Sequence, residues 1–447
     1  MPSLVEQLLA RRDRDGLLAC SCGLTHRIAA ADVLVERGAL ARAAELFARR
    51  HRTAWVLSDE NTEAAAGAWK GMVSGAAIRS RVLPGRPRPL PSLELAEELA
   101  AEVRGAQTDV LVAIGSGVVS DLVKKVSLEV GLPSWCIATA PSVDAYTSAT
   151  ASLRAHGHHQ TMAARSSEVI VCDLDVIARA PRPMILGGIG DLLAKFVASL
   201  DWRMASLVTG EHHCAAVADI ALEAARAAAR AAQALAAEPA PDPVQAAAWL
   251  TDAVLVSGLA MQAMGGSRPA ASAEHSIAHF WESTGAARRE GVNLHGIMVG
   301  AATALILPGY LDFFGSLPDP GAGAARADAD EDEPLEPGMQ ELAGMVVARG
   351  WAHDPGARAA RRKAFARERE RIAALAGPLL AELAQAMDAL ARLGAPLSPE
   401  ALDIPERLRL LPVRNVHLLR DRYTTFDLAR DLGCSDRLMG PIEAAIL

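Results

Sequence analysis

"DVLVAIGSGVVSDLVKKVSLEV", residues 109–130, changes its hydrophobic period part-way along. Residues 109–117 form a short apolar run stopped by glycine, the pattern of a buried strand. Residues 118–130 carry apolar residues at helical spacing. A strand, a glycine turn and a helix in that order predict a parallel sheet covered by helices.

The surrounding sequence repeats the alternation. Upstream, "TAWVLSDENT" (53–62) reads as a buried strand followed by a loop. Downstream, "PSWCIATAPS" (133–142) returns to strand, and "EVIVCDLDVI" (168–177) is a further β-rich run. Beyond "ARAPRPMILGGIGD" (178–191) strand signals nearly vanish, and "AAVADIALEAARAAARAAQALAAE" (215–238) is an amphipathic, alanine-rich helix. The expected organisation is an α/β domain over 1–183 and an all-α domain over 184–447, divided near Pro181 and Pro183. The acidic, Gly/Pro-rich stretch 318–338 reads as an exposed loop in the helical half, and no internal repeat is evident.

Composition narrows the function classes. A chain of 447 residues is too long for one ordinary core. With 51% apolar and 22% charged residues it has a globular composition. A net charge of −8 and the lack of a basic stripe argue against a nucleic-acid surface. No uninterrupted apolar run reaches membrane-spanning length, and the first thirty residues lack a signal-peptide core. Six scattered cysteines do not form a disulfide framework, so a reducing cytoplasm is the expected location.

Three features carry chemistry. Gly115-Ser116-Gly117 lies between the predicted strand and helix, where backbone N–H groups and the helix dipole favour an anion. A tight βα turn would use the same glycines. Asp59 closes an earlier strand, where a carboxylate can hold a ribose diol, and residues 139–142 bring hydroxyls to the same rim. Together these favour a dinucleotide.

The second feature is a histidine pair. In "AEHSIAHFWES" (273–283), His275 and His279 are four apart and share one face of a helix. His295 and Asp191 can complete a metal site, although a buried histidine can equally be a core residue and Asp191 an N-cap. The third is "CSCGLTH" (20–26). Cys20, Cys22 and His26 are soft ligands but not a closed shell, and a turn is the expected reading.

Taken in order, "GSGVVSD", "TAPSVDAYTSATASL", "GGIGDLLAKFVASLDWRMA", "SGLAMQAMGGSRPAASAEHSIAHFWE" and "LHGIMVGAAT" resemble the sn-glycerol-1-phosphate dehydrogenases, in particular their bacterial branch. These belong to the iron-containing alcohol dehydrogenase and dehydroquinate synthase-like superfamily. The resemblance covers roughly residues 50 to 310. It implies a Rossmann-like α/β N-terminal domain, an all-α C-terminal domain and an active site in the cleft between them.

The same resemblance implies that Asp191, His275 and His295 ligate one divalent metal (zinc, nickel or iron). Gly115, Ser116, Gly117, Val118 and Val119 would cradle the cofactor pyrophosphate. Thr139, Ser142 and Ser148 would line the rest of its cleft, and Asp59 would hold the ribose and favour NAD while NADP is also admitted. His279 and Asp144 would contact the substrate and orient hydroxyls or relay a proton, with Asp191 also on the substrate side. Arg268 is the expected phosphate contact, and Lys195, one turn after Asp191, is a second cation within reach.

The implied reaction is reversible NAD(P)H-linked reduction of dihydroxyacetone phosphate, a phosphorylated triose, to sn-glycerol 1-phosphate by a homo-oligomer. The rival enzyme readings are a glycerol or polyol dehydrogenase and a sugar-phosphate cyclase of the dehydroquinate synthase type. A binding protein that has lost the reaction is the non-enzymatic alternative.

Overall fold

The computed structural model describes residues 2–30, 32–156, 158–287, 293–319 and 354–446. Its strands are β1 (Leu17–Leu18), β2 (His26–Arg27), β3 (Asp32–Glu36), β4 (Thr53–Asp59), β5 (Ala77–Leu83), β6 (Val110–Gly115), β7 (Ser134–Ala138), β8 (Thr150–Ala155), β9 (His158–Ala163) and β10 (Val169–Asp173). Six of them form one parallel sheet in the order β3-β10-β7-β6-β4-β5. Every residue of β6, β7 and β10 is buried, which explains why these strands read as continuous apolar runs.

Alternation along β6 divides the packing between the two faces. Val110, Val112 and Ile114 join a core with Phe47, Trp69 and Trp135 on one face. Leu111 and Ala113 join a second core on the other. Each fully buried aliphatic side chain contributes roughly 1.5–3 kcal/mol. The second core continues into the helices Ala215–Leu235 and Pro243–Met264. The helical half therefore covers one face of the sheet rather than standing apart from it.

The chain runs outward from β4 to β5, then returns to place β6 on the other side of β4. That reversal makes a crevice at the carboxyl ends of β4 and β6, where Asp59 and Gly115 lie. Open α/β sheets bind ligands at such a point.

Three local expectations are corrected. The segment after β4 is not a loop: the helix Glu60–Ala66 starts there, capped by Asp59. The run 168–177 ends as a strand at Asp173, whose side chain caps the helix Leu174–Ile177. Asp191 does not lead a helix. It lies in the interior of Arg182–Thr209, which begins after Pro181 with Pro183 in its first turn. The antiparallel β8–β9 hairpin was not anticipated either.

The glycines around Asp191 serve close packing. A Cβ on Gly190 would lie 2.6 Å from the Gly296 carbonyl oxygen, and one on Gly296 would lie 2.1 Å from that of Gly187. The helices Arg182–Thr209 and His295–Gly315 thus cross backbone to backbone. That crossing brings Asp191 beside His295.

By mean hydropathy rather than by uninterrupted runs, four helices among the described residues are long and apolar enough to cross a bilayer. In three of them, Arg182–Thr209, Pro243–Met264 and His295–Gly315, 83, 72 and 78% of the apolar window is buried inside the protein. The 318–338 stretch lies, beyond its first two residues, outside the described residues.

Candidate active site

A cavity of about 450 Å³ opens at the sheet crevice and reaches the helical half. Ser116, Gly117 and Val118 line it from the helix Gly117–Val130 and the turn before it. Ser116 is the N-cap, yet no side chain caps this helix, so its first-turn N–H groups are available to an anion. A Cβ on Gly117 would meet a Val143 methyl at 3.0 Å, which keeps the turn close to the opposite wall. Donors and dipole together fit a pyrophosphate.

The other expected cofactor residues divide. Asp59, Ser142 and Ser148 line the cavity. Gly115, Val119 and Thr139 do not line it and act from behind. The space beside Gly115 is filled by Val119, 2.7 Å from where a Cβ would sit, and the Thr139 N–H donates to the Gly115 carbonyl at 3.2 Å. The Asp59 carboxylate also has a structural duty, since Oδ1 accepts from the Asn61 and Thr62 N–H groups at 2.9 and 3.0 Å.

Asp191, His275 and His295 each offer a ligand atom, all within 4.8 Å of one another. His275 Nε2 lies 3.3 Å from Asp191 Oδ1, and its Nδ1 bonds Glu274 Oε1 at 2.8 Å. His295 Nδ1 bonds Glu282 Oε1 at 2.8 Å. An ionised carboxylate only accepts, so each ring carries a proton on Nδ1, which leaves Nε2 as the atom that can bind a metal. Such carboxylate partners orient imidazoles for a metal. Two imidazoles and one carboxylate are a donor set for zinc, nickel or iron.

The charges around this trio also favour a cation. Asp144 and Asp191 share one buried ammonium, Lys195, while Glu274 and Glu282 bond the histidine rings. Lys195 Nζ donates to Asp191 Oδ1 at 2.7 Å and to Asp144 Oδ2 at 3.0 Å. Burial opposes ionisation of Asp191, but Lys195, His275 and His295 outweigh it and hold the carboxyl well below the usual range. Burial likewise opposes charge on His295, yet Glu282 and Asp191 carry its pKa up to about 9, so an incoming metal ion displaces a proton from this ring. The residues present fit a divalent ion.

His279 stands on the cavity wall beside this trio, its ring 5.1 Å from that of His295. Its Nδ1 bonds Glu282 Oε2 at 2.8 Å, so Glu282 orients both His279 and His295. Burial drives the His279 pKa down to about 3. Asp144 also lines the cavity, accepting from Ser257 Oγ at 2.7 Å.

Arg268 is placed differently from the expectation. It is not among the cavity-lining residues. Its guanidinium forks onto Glu211 at 2.7 and 2.9 Å and donates to the Tyr423 carbonyl at 3.1 Å. The cations that do line the cavity are Arg88, Arg154 and Arg420. Arg420 donates Nη2 to Thr161 Oγ1 at 3.3 Å, while its buried Nη1 has no hydrogen-bond partner among the described residues.

Glu274, Glu282, His159 and Arg420 went unnoticed in the sequence. Only Glu282 had a local signal, three residues after His279 on one helical face. Replacing Glu282 by Gln tests its role. The amide can accept from one ring but opposes a donor to the other, so metal affinity should fall about 10–100-fold with the fold intact. Titration of the metal-stripped protein with zinc, followed calorimetrically, measures this.

Residues 34–181 match the family described as iron-containing alcohol dehydrogenase. A glycerol-1-phosphate dehydrogenase (NAD(P)+) of Bacillus licheniformis is 27% identical over 440 residues, covering 94% of each chain. One from Halalkalibacterium halodurans is 32% identical over 304 residues, covering 64% of this chain and 72% of that protein. Among solved structures, glycerol dehydrogenase from Schizosaccharomyces pombe has the same fold, with a TM-score of 0.58, 19% identity, and coverage of 93% of this chain and 89% of that one.

Proposed function

Since the chain belongs to the glycerol-1-phosphate dehydrogenase family, NAD(P)-linked and metal-dependent oxidoreductases, we propose that it reduces dihydroxyacetone phosphate to sn-glycerol 1-phosphate. The observation that carries this reading is one cavity lined by an uncapped helix N-terminus, the rings of His275, His279 and His295, and an arginine with an unpaired N–H.

The division of labour follows from the geometry. Val118 and the turn Ser116–Gly117 receive the cofactor pyrophosphate, and Asp59 receives the ribose while capping its own helix. Asp191, His275 and His295 hold the divalent metal, which when bound polarises the ketone as a Lewis acid. His279 keeps its proton on Nδ1 toward Glu282, so its Nε2 accepts a hydrogen bond from a substrate hydroxyl and orients it. Asp144, held by Lys195 and Ser257, offers its carboxylate to a second hydroxyl.

Arg420 takes the phosphate role in place of Arg268. Its Nη1 lacks a hydrogen-bond partner among the described residues, and a phosphate oxygen would satisfy it. Arg420→Ala should raise the KM for dihydroxyacetone phosphate about 10–100-fold, the worth of a charged hydrogen bond of about 1.5–3 kcal/mol. Turnover of unphosphorylated dihydroxyacetone should be unchanged. Equal losses on both ketones would remove Arg420 from the phosphate site.

The reaction itself is tested by following NADH with dihydroxyacetone phosphate after loading with zinc, nickel or iron. Stoichiometric, metal-dependent oxidation that prefers the phosphorylated ketone supports the reading. Preference for the plain ketone would make the protein a polyol dehydrogenase. A sugar-phosphate cyclase would leave the NADH unchanged.

A further inference from the structure

A second cluster of metal-ligating side chains lies apart from the cavity. Cys20 and Cys22 sit in the loop of the antiparallel β1–β2 hairpin, and His26 opens β2. Cys214 is the N-cap of Ala215–Leu235, and its thiol lies 3.4 Å from that of Cys20, 194 residues away in sequence. Cys22 Sγ and His26 Nε2 are 3.1 Å apart. All four ligand atoms lie within 4.8 Å of one another.

The turn expected for residues 20–26 is present, but the fold closes it with a fourth ligand. Tetrahedral zinc, with bonds of about 2.3 Å to sulfur and 2.0–2.1 Å to nitrogen, spaces its ligand atoms about 3.5–3.8 Å apart. With distances of 3.4 and 3.1 Å for two pairs and every pair within 4.8 Å, the cluster is close to that size. The sulfurs are free thiols, and 3.4 Å is far outside a disulfide bond.

The histidine is oriented for this task. His26 is 1% exposed, and its Nδ1 donates to the Ala263 carbonyl at 2.9 Å. A carbonyl can only accept, so the proton stays on Nδ1 and the Nε2 lone pair points at the sulfurs. His212 Nε2 further ties this loop down by bonding the Cys22 carbonyl at 3.1 Å.

We propose that Cys20, Cys22, His26 and Cys214 form a structural Cys3His zinc site that pins the N-terminal hairpin to the helical half. On binding, each thiol releases its proton to solvent and coordinates as a thiolate. The ion joins the hairpin to the start of Ala215–Leu235. Through His26 it also reaches the end of Pro243–Met264. No coordination position remains for a substrate, so the role is structural.

The test is cobalt substitution of the full-length protein, because the Asp191 site contains no thiolate. The Asp191→Ala variant should bind one cobalt per chain and show the thiolate-to-cobalt charge-transfer band with the intense visible bands of a tetrahedral site. Cys22→Ser should lose that band while retaining the ion held by Asp191, His275 and His295. Chelation should lower the Tm of Asp191→Ala, and added zinc should restore it. If Cys22→Ser does not fold, the Asp191→Ala spectrum alone decides. A folded Asp191→Ala variant without thiolate-to-cobalt absorption would overturn the site. So would a Cys20–Cys214 disulfide in freshly isolated protein.

Discussion

Asp191→Ala should abolish metal binding at the active site and lower kcat by about 10³-fold or more, several kcal/mol of lost transition-state stabilisation. The carboxylate is 1% exposed and is the anionic member of its ligand set. Its removal also leaves Lys195 with Asp144 as its remaining carboxylate partner. The buried ammonium loses one of its two carboxylate partners, so this variant should also melt earlier. His295→Ala separates the two effects. Its side chain is 29% exposed and makes no contact with Lys195 among the described ion pairs. It should lose metal and turnover with a smaller loss of stability. Metal analysis, steady-state kinetics and thermal melts on both variants distinguish a ligand from a merely structural carboxylate.

Gly188→Ala should be the most disruptive glycine-to-alanine change among the described residues. The new Cβ would lie 1.7 Å from the Pro141 carbonyl oxygen and 2.9 Å from its carbon, and backbone cannot step aside as a side chain can. We expect destabilisation of about 3 kcal/mol or more, at the upper end of overpacking costs. Activity should fall further than stability alone requires, because Pro141 lies in the loop that carries Ser142 and Asp144 into the cavity. Gly187→Ala is the control. Its nearest neighbour is 3.6 Å away, and alanine gains helix propensity of about 1 kcal/mol over glycine. Urea unfolding should separate the two variants clearly. Equal stability would mean that the close helix-to-loop approach does not govern the site.

The parallel sheet was legible because β6, β7 and β10 are buried on both faces and carry their apolar residues in short runs. The turn at Ser116 was legible because it falls where the hydrophobic period changes. Asp191 was legible only through family resemblance. By local pattern it looked like a cap after glycines, whereas those glycines lie inside a helix and serve a helix crossing. The contacts behind the proposed phosphate and zinc sites are non-local. Arg420 meets Thr161 across 259 residues, and Cys214 meets Cys20 across 194. No spacing rule reaches that far. The placement of Arg268 was illegible for a related reason: a cation near the histidines in sequence is, in the fold, paired with Glu211.

The stereochemistry of the product tests the central claim most directly. Dihydroxyacetone phosphate is prochiral, and if the cavity holds the cofactor at Ser116–Gly117, the ketone at the Asp191 trio and the phosphate at Arg420, as proposed, one carbonyl face is exposed to hydride. Metal-loaded protein supplied with NADH and dihydroxyacetone phosphate should yield sn-glycerol 1-phosphate alone, as read by enantiomer-specific enzymatic assay. Formation of sn-glycerol 3-phosphate, of a racemate, or of no glycerol phosphate with any of the three metals would contradict the account.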